Sequence, residues 1–126
     1  MPQPKEYDLS PIRATIITFS DRVLSGQREA RGARACADAL TAAGLGHVAT
    51  AVVPEQRGAL ESQVRGAIAA GSRLVLVLGG SGFGVGNVAP EVVREVVEVE
   101  IPGIAEQIRA HGLKSTPLSG LSREVV

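Results

Sequence analysis

Five apolar residues, Leu74-Val75-Leu76-Val77-Leu78, run straight into a segment with glycine at positions 79, 80, 82, 84 and 86, and Pro90 follows. An unbroken apolar run of this length predicts a central strand of a parallel sheet, buried on both faces. Pro90 suits the first turn of a helix, where its missing N–H would be unpaired anyway. Strand, glycine loop and helix start form a local architecture that receives anions. Glycines let backbone N–H groups approach an oxyanion, and the helix N-terminus adds partial positive charge. Five glycines within eight residues are entropically costly for an idle turn, so the loop reads as a ligand site. At its exit stands Asn87, where an acidic residue would suit a metal-assisted phosphate site.

The flanking patterns build an α/β fold around this unit. Ile12 to Phe19 and His47 to Val53 read as strands, and Arg73 to Leu78 as the third. Gly26 to Ala43 and Gly58 to Ala70 carry helical periodicity, with Gly44 and Gly71 as stops. Pro90 to Val97 and Pro102 to His111 complete the helices, each opening on proline. The order β-α-β-α-β-loop-α-α predicts a mostly parallel sheet with right-handed crossovers and helices covering it as a three-layer sandwich. Ligands on such sheets bind beyond the C-terminal strand ends, where Ser20-Asp21-Arg22, Pro54-Glu55 and the glycine loop converge. A polar arm over residues 1–11 is expected to precede a single domain over 12–126.

Composition narrows the function. Thirteen basic and 13 acidic residues balance, with no basic stripe, which excludes nucleic acid as the expected partner. No apolar stretch is long enough to span a bilayer, and the N-terminal residues lack a signal peptide's apolar core. The single Cys36 reads as a structural thiol in a helix and fits a reducing, cytoplasmic setting. His47 and His111 are not spaced as a metal pair. The glycine loop is not a dinucleotide fingerprint, because Val85 and Asn87 occupy the positions its third glycine needs. Nor is it a P-loop, since no Gly-Lys-Ser/Thr follows.

Several segments together resemble the molybdopterin-binding MogA/MoaB family of molybdenum cofactor biosynthesis. Thr18-Phe19-Ser20-Asp21-Arg22 followed by Ser25-Gly26 is similar to that family's first-strand Ser-Asp-Arg, and Val52-Val53-Pro54-Glu55 to its Val-Pro-Asp turn. Leu78-Gly79-Gly80-Ser81-Gly82 resembles its Thr-Gly-Gly-Thr-Gly loop, and Asn87-Val88-Ala89-Pro90-Glu91 stands at its Asp-x-Thr/Ala-Pro-Glu. Glu100-Ile101-Pro102-Gly103-Ile104 and Leu121-Ser122-Arg123 extend the match over nearly the whole chain from Ile12.

The resemblance implies a molybdopterin-binding fold, usually a homotrimer, that holds the phosphate and pterin of molybdopterin. Its active members transfer AMP from ATP to the molybdopterin phosphate with Mg²⁺. Carried onto this chain, it places substrate and phosphate contacts at Ser20, Asp21, Arg22, Gly79, Gly80, Ser81, Gly82 and Ser122. The amides of Gly80, Ser81 and Gly82 are expected to cradle the phosphate, with the Ser81 hydroxyl as a further donor. The family's two important acids fall at Glu55 and Asn87, the expected catalytic positions, with Glu55 as the Mg²⁺ ligand. Asn87 can accept a hydrogen bond but supplies no charge to attract Mg²⁺. Two functions therefore stand side by side: a molybdopterin adenylyltransferase, and a catalytically impaired molybdopterin-binding or assembly paralogue. The family's last core strand, its Leu-Pro-Gly loop and its closing helix have no counterpart among these 126 residues. A sheet open at one edge, or completed by neighbouring subunits, is the corresponding expectation.

Overall fold

The computed structural model describes residues 6–126, so the first five residues of the expected arm lie outside the described residues. Strand β1 (Arg13–Phe19) is followed by a one-turn helix α1 (Asp21–Leu24) and helix α2 (Arg31–Ala42). Strand β2 (His47–Val53), helix α3 (Arg57–Ala69) and strand β3 (Leu74–Leu78) follow. Helices α4 (Ala89–Val96) and α5 (Pro102–Gly112) and a 3₁₀ helix over Pro117–Leu121 complete the order. The three strands form one all-parallel sheet in the order β2-β1-β3. Stepping from β1 to β2 and back across to β3 with right-handed crossovers puts α2 and α3 on opposite faces.

The central strand is β1, not β3. All of β1 except Arg13 is buried, whereas every residue of β3 is only half-buried. The apolar pentapeptide was legible as a strand, but an uninterrupted apolar run cannot say how many neighbours a strand has. On β1, Ile17 and Phe19 face α3 and α4 in a core with Val53, Leu60, Val64, Ala89 and Val92. Ala14, Ile16 and Thr18, one residue out of phase, are buried on the other face. β3 has a partner only along the side facing β1, so the sheet is open there among the described residues.

Other differences are local. The helix expected from Gly26 starts only at Arg31; Gly26, at a left-handed φ of 82°, follows the one-turn α1 and belongs to the connection between the two helices. Ser20 caps α1 by accepting the Val23 N–H at 3.2 Å. The terminal Val125-Val126 forms no ladder; its last carbonyl accepts the Ile101 N–H at 2.6 Å. The 3₁₀ turn over Pro117–Leu121 has no distinct sequence signal, because Pro117 and Gly120 mark a turn without specifying its hydrogen bonds. No helix of the described residues is long and apolar enough to cross a membrane.

The placement of β1 predicts an asymmetry in stability. Ile17→Ala should cost about 3 kcal/mol by the usual burial and cavity terms, and Leu76→Ala on the open edge clearly less. Chemical denaturation of the two variants checks this; equal losses would contradict the assigned strand order.

Candidate functional site

The glycine loop is held in place from three sides. At its start, Gly79 (φ 97°) and Gly80 (φ 73°) lie against Phe19. A Cβ on Gly79 would meet the Phe19 carbonyl oxygen at 2.7 Å, and one on Gly80 would meet Phe19 Cδ1 at 2.5 Å and Ala89 Cβ at 3.1 Å. Only glycine fits both the dihedral angle and the space. Within the loop, Asn87 Oδ1 accepts the Gly82 N–H at 3.1 Å, and a Cβ on Gly84 would stand 2.6 Å from Asn87 Nδ2. The loop is therefore wrapped around the Asn87 side chain.

The third restraint comes from the C-terminal segment. Arg123 donates from Nε to the Gly82 carbonyl at 2.9 Å and from a terminal nitrogen to the Asn87 carbonyl at 2.7 Å. The same guanidinium grips the Glu91 carboxylate with two bonds, at 3.0 and 3.1 Å. The backbone N–H of Arg123 donates to the Ser81 carbonyl at 3.1 Å. The bidentate bond to Arg123 holds the Glu91 carboxyl below the ordinary glutamate value, and the guanidinium is raised in turn.

These bonds orient the loop amides. The carbonyl of one residue and the N–H of the next point in opposite directions across each planar peptide. The Gly80 carbonyl turns toward α4, where it accepts the Ala89 N–H at 3.2 Å, so the Ser81 N–H points away from that helix. Of the three amides expected to cradle a phosphate, Gly82's is thus occupied by Asn87. Those of Gly80 and Ser81 meet no acceptor among the described residues.

Glu55 and the first-strand segment meet beside this loop. Asp21 Oδ1 accepts the Glu55 N–H at 2.9 Å, and the Ser20 N–H donates to the Val53 carbonyl at 3.1 Å, which ties the ends of β1 and β2 together. Asp21 thereby positions Glu55. The Glu55 Oε2 lies 3.4 Å from the point a Cβ on Gly86 would occupy, so this carboxylate faces the loop's exit. A cavity of about 290 Å³ opens at the C-terminal strand ends, lined in part by Ser20, Glu55, Gly79 and Gly80. It also touches Thr18, Arg28 and Arg31, which the sequence patterns did not single out.

Other expected residues lie elsewhere. Arg22 is exposed, and its carbonyl accepts the N–H groups of Gln27 and Arg28. Ser122 Oγ donates to Glu124 at 2.7 Å and lines a separate cavity of about 590 Å³ beside α5. Asn87 is committed to the loop it supports. Arg123 is the residue sequence reasoning missed: it stands next to Ser122 in the Leu121-Ser122-Arg123 motif, but its partners Gly82 and Glu91 are 41 and 32 residues away.

Comparison with known proteins bears on the family and the fold. A family described as a probable molybdopterin binding domain matches residues 15–125. The chain belongs to this family. It is 33% identical over 115 residues to a molybdenum cofactor biosynthesis bifunctional protein of Synechococcus elongatus, covering 91% of this chain and 36% of that protein. It is 30% identical over 120 residues to the molybdopterin adenylyltransferase of Escherichia coli K12, covering 93% of this chain and 62% of the relative. The chain thus spans less than two thirds of either protein. Among solved structures, the molybdopterin biosynthesis Mog protein of Mycobacterium ulcerans superposes with a TM-score of 0.83 at 31% identity, covering 90% of this chain and 74% of that one. The molybdopterin biosynthesis enzyme MoaB of Thermus thermophilus gives 0.81 at 33% identity, covering 90% and 72%. The α/β molybdopterin-binding fold is therefore the fold of this chain.

The Glu91–Arg123 latch has a pH signature. A carboxyl with a depressed folded value contributes stability above its unfolded value and loses it as pH falls through the depressed one. Glu91→Gln should therefore lower thermal stability at neutral pH, and the gap to wild type should close in acid, below the ordinary glutamate range. Melting temperatures across pH check this; a gap that stays constant would contradict the latch.

Proposed function

We propose that this protein acts in molybdenum cofactor biosynthesis by holding the molybdopterin phosphate on the free amides of Gly80 and Ser81, and that it transfers AMP to that phosphate from ATP. The observation that carries this reading is the pair of unoccupied amides, Gly80 and Ser81, in a loop whose exit the Glu55 carboxylate faces. A phosphate there receives two backbone donors, and the Ser81 hydroxyl is the natural third.

In the transfer, a phosphate oxygen of molybdopterin attacks the α-phosphorus of ATP. A new P–O bond forms, the bond from the α-phosphorus to the bridging oxygen breaks, and pyrophosphate leaves with that electron pair. The protein's contribution is positioning and charge neutralisation. Glu55 would hold a cation together with phosphate oxygens of the ligands. Mg²⁺ so held would offset the charge of the departing pyrophosphate. Asp21 keeps Glu55 in place through the latter's N–H, and Asn87 keeps the loop in shape.

The second reading, a binding or assembly paralogue without turnover, is favoured by one observation: position 87 supports the loop with a neutral amide. We assign the protein to a reducing, cytoplasmic compartment on its single cysteine, and to a homotrimer on family likeness. Ile101, Ile104 and Ile108, each at least 42% exposed along the start of α5, would serve such an assembly.

Purified protein should release pyrophosphate from ATP only when molybdopterin and Mg²⁺ are both present. Asn87→Asp, which keeps an oxygen toward Gly82 and adds a charge, should raise that rate by about tenfold or more. Absence of turnover in both proteins, with molybdopterin still bound, would decide for the binding reading. Absence of molybdopterin binding would overturn both.

A further inference from the structure

A single side chain spans the glycine loop. The Arg123 guanidinium bonds to the Gly82 carbonyl within the loop, to the Asn87 carbonyl at its exit, and to Glu91 in the first turn of α4. Four hydrogen bonds, the two to Glu91 included, leave one of its five N–H groups over. The Glu91 carboxylate also balances its charge. Arg123 is thus committed to the chain and is not itself an anion ligand.

Its backbone completes the hold. The Arg123 N–H donates to the Ser81 carbonyl at 3.1 Å. Across that same peptide the Gly82 N–H points the other way and donates to Asn87 Oδ1 at 3.1 Å. The peptide between Ser81 and Gly82 is therefore gripped from both sides, by Arg123 on its oxygen and by Asn87 on its nitrogen. The preceding peptide is gripped on one side only. Its carbonyl, on Gly80, accepts the Ala89 N–H, while its N–H, on Ser81, meets no acceptor among the described residues. Glycines flank Ser81 on both sides, so without these bonds the backbone here has many conformations open to it. A donor that must be ordered when its ligand arrives contributes less affinity than one already in place.

The segment that carries Arg123 has anchors of its own. Arg109 on α5 donates to the Ser122 carbonyl at 3.3 Å and lies 3.8 Å from Glu124. The Ser119 hydroxyl donates to the Arg109 carbonyl, and the Ile101 N–H donates to the Val126 carbonyl. None of these bonds reaches the loop, whereas those of Arg123 to Ser81, Gly82 and Asn87 all land on it.

We infer that Arg123 is a positioning residue for the phosphate ligand: it fixes the Ser81–Gly82 peptide and so presents the Ser81 amide. The Leu121-Ser122-Arg123 motif then serves the site through Arg123 rather than through Ser122. The inference rests on the reading of the loop as a phosphate cradle. It also requires arginine, because a lysine keeps the charge but has no planar fork to span two carbonyls and a carboxylate. By linkage the effect runs both ways: if the hold on the loop favours phosphate, bound phosphate tightens the hold.

NMR titration of the isotopically labelled full chain with inorganic phosphate, at constant ionic strength and well below each variant's melting temperature, tests this. Arg123→Lys should weaken phosphate binding at least tenfold. Arg109→Lys makes the same exchange at an anchor of the same segment that does not touch the loop. It should change the affinity less than threefold, even where it lowers the melting temperature as much. In the wild type, saturating phosphate should slow exchange of the Arg123 Nε–H with water at least threefold and leave that of Arg65, paired with Glu61, unchanged. Phosphate binding by Arg123→Lys within threefold of wild type, equal losses in the two variants, or a wild-type Nε–H that phosphate does not slow overturns the inference. If Arg123→Lys does not fold, the wild-type exchange decides. If the wild type binds no phosphate, the cradle reading falls, and the hold on the loop is read without ligand from exchange of the Gly82 N–H. That exchange should quicken at least tenfold in Arg123→Lys and not in Arg109→Lys; an unchanged Gly82 overturns the hold as well.

Discussion

The contact between the Gly79-Gly80 backbone and Phe19 joins the ligand loop to the hydrophobic core. Phe19 is 1% exposed and packs among Val53, Leu60 and Val92, so its ring cannot retreat to make room for a side chain. The loop therefore leaves β3 in one direction only, with both glycines at positive φ. Everything downstream inherits that start. The Gly80 carbonyl meets α4, the Ser81 amide turns the other way, and Asn87 returns to close the loop on Gly82. Strain from a substitution at Gly80 would thus be felt at the phosphate cradle and in the core together.

The residues that resemble catalytic groups divide into those that face the cavity and those that support it. Asp21, Asn87 and Arg123 spend their polar atoms on backbone groups of neighbouring segments. Glu55 differs from Asp21 in that its carboxylate takes part in neither a hydrogen bond nor an ion pair among the described residues. This division explains how a neutral residue is accommodated at position 87. The loop needs an oxygen there, and an amide provides one as well as a carboxylate does. What the amide does not provide is charge, and only a charge-dependent step would register its loss.

Much of this was legible in the chain because it rests on local rules. Glycine after an apolar run marked the loop, proline at 90 and 102 marked two helix starts, and β2 could be bounded residue by residue. Strand centrality was not legible, since the apolar pattern of Leu74–Leu78 does not record whether a neighbour is present on both sides. Arg123 was hidden for a different reason. Its partners lie dozens of residues away, and a guanidinium that latches a loop leaves no periodicity behind. Ser122 and Arg22, attractive as polar residues in family-like motifs, do not line the cavity beside the glycine loop; motif proximity does not fix side-chain direction.

The central claim is that the loop offers the amides of Gly80 and Ser81 and withholds that of Gly82. Amide chemical shifts followed during phosphate titration of isotopically labelled protein test it directly. The account predicts saturable shifts at Gly80 and Ser81 and little change at Gly82, whose N–H stays with Asn87. A dominant shift at Gly82, or none in the loop while phosphate binds elsewhere, would contradict it.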